Sequence, residues 1–236
     1  EILCMISSSN DSHGRSGSAT VLNSGGQRAA GIATLALAGL LSIGGRAADV
    51  QPRSLPLGAD APDFSLSGVD GRTYSLRDFA AARVLVVVFT CNHCPTAQYY
   101  EGRLMQLAAD YRDKGVALVA ISPNDPHSVR LDELGWTDLG DSYADMKLRA
   151  KERRFNFVYL YDGETQKASR AYGPVATPHV FLFDGERKLR YAGGIDDSER
   201  VQHVKVHYLR EALDAVLAGK TPPAAQTKVV GCSVKW

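Results

Sequence analysis

Neither sign of charge prevails in this chain. Its 236 residues carry 27 Lys and Arg against 26 Asp and Glu, a formal net charge of +1. That balance gives no electrostatic reason to expect nucleic acid or an anionic membrane surface as partner. Internal repeats are absent, which excludes a repeat array. Cysteine is scarce: Cys4, Cys91, Cys94 and Cys232. Long uncharged stretches are scarcer still. One, "AAGIATLALAGLLSIGG" at residues 29–45, follows a polar, Ser- and Gly-rich leader and precedes "RAADVQP". A basic residue, an apolar core and a small-x-small end predict a secretory signal peptide cut after Ala47. An uncleaved membrane anchor is the alternative, because the stretch lies near the lower limit for spanning a bilayer. No Arg-Arg pair precedes it, so a twin-arginine signal is not expected.

The expected organisation is a leader or anchor at 1–47, a Pro-containing linker at 48–56, one compact domain at 57–219 and a C-terminal tail at 220–236. The length suits one well-filled core or two small ones. Within the domain, "DFSLS" and "TYSL" read as short strands around an Asp-Gly turn, and "SLRDF" as one helical turn capped by Ser75. Val84–Phe89 is a continuous apolar run without alternation, as in a strand buried on both faces. Tyr100, Leu104, Leu107, Ala108 and Tyr111 then recur on one helical face, and Gly115 closes that helix. "VALVAISP" is a second buried strand. Helices are expected near 128–134 and 142–153, then a strand in "NFVYLYD", a helix in "ETQKASRAYG", strands in "HVFLFD" and "KLRYAGGI", and a last helix over 203–219. The fold class is α/β: a central sheet flanked by helices, with a helical insertion after the first β-α-β unit.

Cys91 and Cys94 fall where the first long strand gives way to its helix. Active sites gather at this carboxyl edge in open α/β sheets. Unpaired N–H groups and the helix dipole stabilise a thiolate there. Two cysteines one helical turn apart can attack, form a mixed disulfide and resolve it. His93, between them, would lower the thiolate pKa further if protonated. A structural disulfide across two residues closes too short a loop to gain much. Zinc would require a second ligand pair, for which the candidates are His203 and His207, four apart on the expected last helix.

These motifs together resemble the thioredoxin-fold superfamily, on its redoxin side with the peroxiredoxins. "LGADAPDFSL" is similar to the opening of redoxin domains, "VVVFTCNHCP" to the active-site segment, "VALVAISPND" to the strand that follows, and "ATPHVFLFD" to the cis-proline segment. The resemblance covers 57–219 and implies a mixed sheet, a cis Thr177–Pro178 bond, and Thr177 offering its backbone to an extended substrate. It implies a Cys91/Cys94 dithiol that cycles without a bound cofactor or metal, in partnership with thiol or disulfide proteins or with peroxide. Cys94-Pro95-Thr96 is similar to the peroxide-attacking segment of peroxiredoxins, with Cys91 where they have Thr, and that makes Cys94 the attacking thiol. The thioredoxin comparison favours Cys91 instead. Copper-delivery proteins of this fold suggest a carrier using Cys91, Cys94 and a histidine such as His179. Three functions are therefore in view: an exported, periplasmic or extracytoplasmic thiol-disulfide oxidoreductase, a peroxidase acting through Cys94, and a copper carrier. Cys232, in the tail beyond a break at Pro222–Pro223, is a candidate second resolving cysteine. Asp125 and His127 stand near the expected site edge, and Tyr99, Tyr100 and Tyr172 are expected in the core or at the site rim.

Overall fold

The computed structural model describes residues 52–136 and 139–236. The expected leader at 1–47 lies outside them. Among the described residues no helix is long and apolar enough to cross a membrane.

Strands β1 (Ser65–Gly68) and β2 (Thr73–Ser75) form a small hairpin. A 3-10 turn follows, with Asp78 accepting from both the backbone N–H and the hydroxyl of Ser75. Strand β3 (Val84–Phe89) then leads into helix α1 (Pro95–Tyr111), and β4 (Val116–Ser122) lies parallel to β3. Helix α2 (Tyr143–Arg153), strand β5 (Val158–Tyr161), helix α3 (Lys167–Tyr172) and strands β6 (Ala176–Thr177), β7 (His179–Phe183) and β8 (Leu189–Gly193) come next. Helix α4 (Tyr208–Leu217) and the two-residue strand β9 (Cys232–Ser233) complete the order.

Seven strands make one mixed sheet in the order β2-β1-β5-β4-β3-β7-β8, and β6 pairs with β9 apart from it. β3 is central and wholly buried, which explains its unbroken apolar run. Leu85, Val87 and Phe89 pack on one face with Tyr172, Phe181 and Phe183. Val84, Val86 and Val88 pack on the other with Tyr100, Leu104, Leu107 and Tyr111 of α1 and Leu209 and Leu213 of α4. Each strand residue serves one of two cores, so neither face can carry polar alternation.

Two expected helices differ. The segment near 128–134 holds two 3-10 turns, Pro126–Ser128 and Leu131–Trp136. Asp125 caps the first by accepting the His127 N–H at 2.9 Å, and neither piece is long enough to repay helix nucleation. The last helix starts at Tyr208 rather than near 203. Asp197 Oδ1 accepts the N–H groups of Lys205 and Val206 at 2.9 and 3.2 Å, which holds 204–206 extended. His203 closes a separate 3-10 turn and His207 stands just before α4 with its Nδ1 3.0 Å from Asp196 Oδ1, so the candidate zinc pair does not share one helix.

Segment 220–236 is laid along the domain. Thr227 Oγ1 meets the Tyr191 hydroxyl at 2.7 Å and accepts the Gly194 N–H at 3.0 Å. Near the other end, Lys235 donates its N–H to Asn124 Oδ1 at 2.9 Å.

Candidate active site

The proline after the second cysteine sets the start of α1. Pro95 lacks an N–H and its fixed φ suits a first helical position, which leaves Cys94 as N-cap with extended φ/ψ of −74° and 116°. The Cys94 sulfur accepts the Ala97 N–H at 3.5 Å. Cys91 lies three residues earlier, just past the carboxyl end of β3. Both are buried, and Cys91, Cys94 and Cys232 are all free thiols. They form one small cluster with Ala97.

Thr177 touches both members of the pair. Its Oγ1 is 3.0 Å from Cys91 Sγ, and its carbonyl oxygen is 3.3 Å from Cys94 Sγ. The peptide bond from Thr177 to Pro178 is cis.

The three thiols do not share one ionisation. Cys94 is pulled well below the ordinary thiol range, first by a hydrogen bond from Cys232, then by one from Cys91, and also by the Ala97 N–H, against the effect of its burial. Cys91 is pushed up by burial and by donating to Cys94. Cys232 is pushed up by donating to Cys94 and by burial. Cys94 is thus the most acidic of the three, with the Ala97 N–H favouring its thiolate and the Thr177 carbonyl at 3.3 Å favouring its thiol.

His93 is buried and its Nδ1 is 2.6 Å from Asp141 Oδ2. Burial works to lower the His93 pKa. The hydrogen bond and charge of Asp141 outweigh it, and the net effect is upward. Asp141 is itself buried and fully engaged. Oδ1 accepts the backbone N–H of Asn92 at 2.8 Å and of His93 at 3.1 Å, and Oδ2 also accepts from Asn124 Nδ2 at 2.6 Å. Gln98 Nε2 donates to the Asn92 carbonyl at 2.7 Å, fixing the turn from the other side. The loop between the cysteines is therefore held by one carboxylate from the insertion.

The other residues marked in the sequence are spread out. His179 is buried against Phe181, accepts the Val175 N–H at 3.3 Å through Nδ1, and is pushed by burial to about 4. Among the described residues, the group whose ligand atoms converge within 4.8 Å is Cys91, His93 and Asp141. The copper set expected from Cys91, Cys94 and His179 is thus not brought together. His127 is exposed, Tyr99 is exposed, and Tyr100 and Tyr172 belong to the core. Asp141 and Asn124 were not singled out in the sequence. Asp141 stands before Ser142, the cap of α2, so locally it reads as part of a helix start, and no spacing ties it to His93.

The AhpC/TSA family profile matches residues 57–192. A structure of an uncharacterized conserved protein from Geobacillus kaustophilus is 39% identical. It covers 79% of this chain and 95% of its own, with a TM-score of 0.69. A hypothetical protein from Sinorhizobium meliloti 1021 is 34% identical, covering 79% of this chain and 97% of its own, also with a TM-score of 0.69. Among curated proteins, a thiol-disulfide oxidoreductase ResA from Bacillus thuringiensis is 23% identical over 176 residues, 73% of this chain and 83% of the relative. The fold and these matches define a thioredoxin-fold oxidoreductase of the redoxin type. The chain belongs to the AhpC/TSA family.

Proposed function

We propose that the protein exchanges thiols and disulfides through Cys91 and Cys94, with Cys94 as the attacking thiolate and Cys91 as the resolving thiol. The observation that carries this is the place of Cys94: it is the N-cap of α1, its sulfur accepts the Ala97 N–H at 3.5 Å, and Cys91 and Cys232 pack against it. Cys94 thiolate attacks one sulfur of a substrate disulfide, the S–S bond breaks, and the other half leaves as thiolate. Cys91 then gives up its proton and attacks Cys94 Sγ. This releases the second half and leaves a Cys91–Cys94 disulfide. Thr177 and Pro178 would border the substrate, and His93 would tune the thiolate from within the loop. The sequence around residues 29–45 supports export and an extracytoplasmic site of action, with any membrane tie made through that stretch. Partners would be thiol or disulfide proteins.

A second reading, peroxide reduction through Cys94, is favoured by the same lowered pKa together with the family match. Stopped-flow oxidation of the reduced protein by hydrogen peroxide and by glutathione disulfide separates the two. Disulfide exchange predicts a rate with the disulfide above that of a free thiol at equal thiolate fraction, with no such gain for peroxide. The reverse pattern would replace this reading with the peroxidase. A gain with neither reagent would contradict both.

A further inference from the structure

Strand β6 is not part of the seven-stranded sheet. Its edge runs beside the redox pair, through Thr177, and that edge is taken by the chain's own β9. The two strands are antiparallel, with Thr177 opposite Cys232 and Ala176 opposite Ser233. This register puts the Cys232 side chain on the cluster of Cys91, Cys94 and Ala97.

The approach is unusually close. A Cβ on Gly231 would lie 2.0 Å from the Thr177 carbonyl oxygen, so only glycine lets the strand come this near. Beyond Cys232 the chain is clamped. The Lys235 carbonyl accepts from the Asp125 N–H at 3.0 Å and from Gln166 Nε2 at 2.6 Å, and its ammonium pairs with Glu133. The Trp236 ring lies under the Arg170 guanidinium. Before Cys232 the chain is held by Thr227. Asn124 joins both systems, donating to Asp141 and accepting from Lys235.

We propose that segment 226–236 is an internal substrate strand and that Cys232 is a third redox thiol, forming a disulfide with Cys94 that Cys91 resolves. This rests on the reading of Cys94 as the attacking thiolate. Opening of the two-residue strand uncovers Cys94, which attacks a disulfide R–S–S–R, binds one half and releases the other as thiolate. The strand returns before Cys91 attacks, so Cys232 rather than Cys91 releases the second half: it loses its proton to solvent and attacks Cys94 Sγ, and the second RS⁻ leaves. Cys91 then attacks Cys94 Sγ, and the departing Cys232 thiolate takes up the proton that Cys91 gives up. The net change is two electrons from Cys91 and Cys94 to the disulfide, which becomes two thiols. A protein substrate pairing with β6 must displace the segment, so the strand also competes with external partners.

The test uses the full chain, reduced, then oxidised with glutathione disulfide, quenched by alkylation and mapped by mass spectrometry. In Cys91→Ser the expected result is loss of the free thiols of Cys94 and Cys232, no glutathione retained on either, and a peptide linking the two, with Cys4 mapped separately. A glutathione adduct persisting on Cys94 while Cys232 remains alkylated would overturn the proposal. Cys232→Ser separates the two readings, because a Cys91–Cys94 disulfide forming there upholds the dithiol even if the first result fails. Conversely, a Cys94–Cys232 link in C91S with no Cys91–Cys94 disulfide in C232S would refute Cys91 as the resolving thiol and the final step proposed here. Adding Gly231→Ala to C91S should abolish the link by forcing the strand off Thr177, and an undiminished link would refute docking as the means of delivery.

Discussion

Replacing Asp141 by Asn probes the hold on the redox loop. Asp141 accepts four hydrogen bonds, two from backbone and one each from His93 and Asn124. An asparagine oxygen can keep the two backbone N–H groups. Its amide nitrogen would then face the Asn124 amide, leaving a buried donor unpaired at a cost of about 1–3 kcal/mol. His93 would lose its counter-charge and fall back to the neutral ring, with Nδ1 accepting. Together these losses suggest a destabilisation of about 2–4 kcal/mol, below the about 3–5 kcal/mol for removing one partner of a buried pair outright. A domain of ordinary stability, about 5–15 kcal/mol, survives this. The pH dependence has a definite sign. The folded-state pKa of His93 is raised, so the His93 cation contributes stability fully below its ordinary value of about 6.5, and that contribution is lost as pH rises through the folded value. Urea unfolding of the reduced protein at about pH 6 and about pH 9 should show a larger deficit for the variant at the acid end. NMR titration of His93 should show its pKa falling, because the hydrogen bond and charge of Asp141 that opposed burial are gone and only the weaker pull of Cys94 remains. An unchanged midpoint together with an unchanged His93 titration would refute this account of the loop.

Other consequences can be checked separately. Thiolate absorbance near 240 nm in the reduced protein should persist well below pH about 8.5 and vanish in Cys94→Ser; a titration centred on the free-thiol value would contradict a stabilised thiolate. Glu101 of α1 binds Arg149 at 2.8 Å and Arg153 at 2.9 Å, both on or at the end of α2. Its removal in E101A should cost about 1–3 kcal/mol in urea melts, the half-exposed Arg153 contributing least. Leu160→Ala, fully buried on β5 between β1 and β4, should cost about 2–5 kcal/mol by the same measurement.

The elements legible in the sequence were those decided by local pattern. β3 is an uninterrupted apolar run and β4 is apolar up to its last residue, Ser122, α1 has a clear apolar face, and Pro95 marks the helix start to the residue. That was enough to place Cys91 and Cys94 at the strand-helix junction. What escaped was decided by contacts far apart in the chain. Asp141 reaches back 48 residues to His93, and nothing local distinguishes it from an ordinary helix-start acid. The helix expected from 203 is unwound at its start by Asp197, a side chain from the preceding loop. Cys232 was marked as a thiol, but its place opposite Thr177 depends on a two-residue strand and on Gly231. Those have meaning only once β6 is in position.

The central claim, that Cys94 is the attacking thiolate, is tested most directly by trapping. Reduced C91S/C232S and reduced C94S, both in a Cys4→Ser background, are mixed with glutathione disulfide under identical conditions, and adducts are counted by intact mass. The account predicts that C91S/C232S accumulates one glutathione, on Cys94, much faster than C94S accumulates any. Faster labelling of Cys91 in C94S would contradict it and make Cys91 the nucleophile.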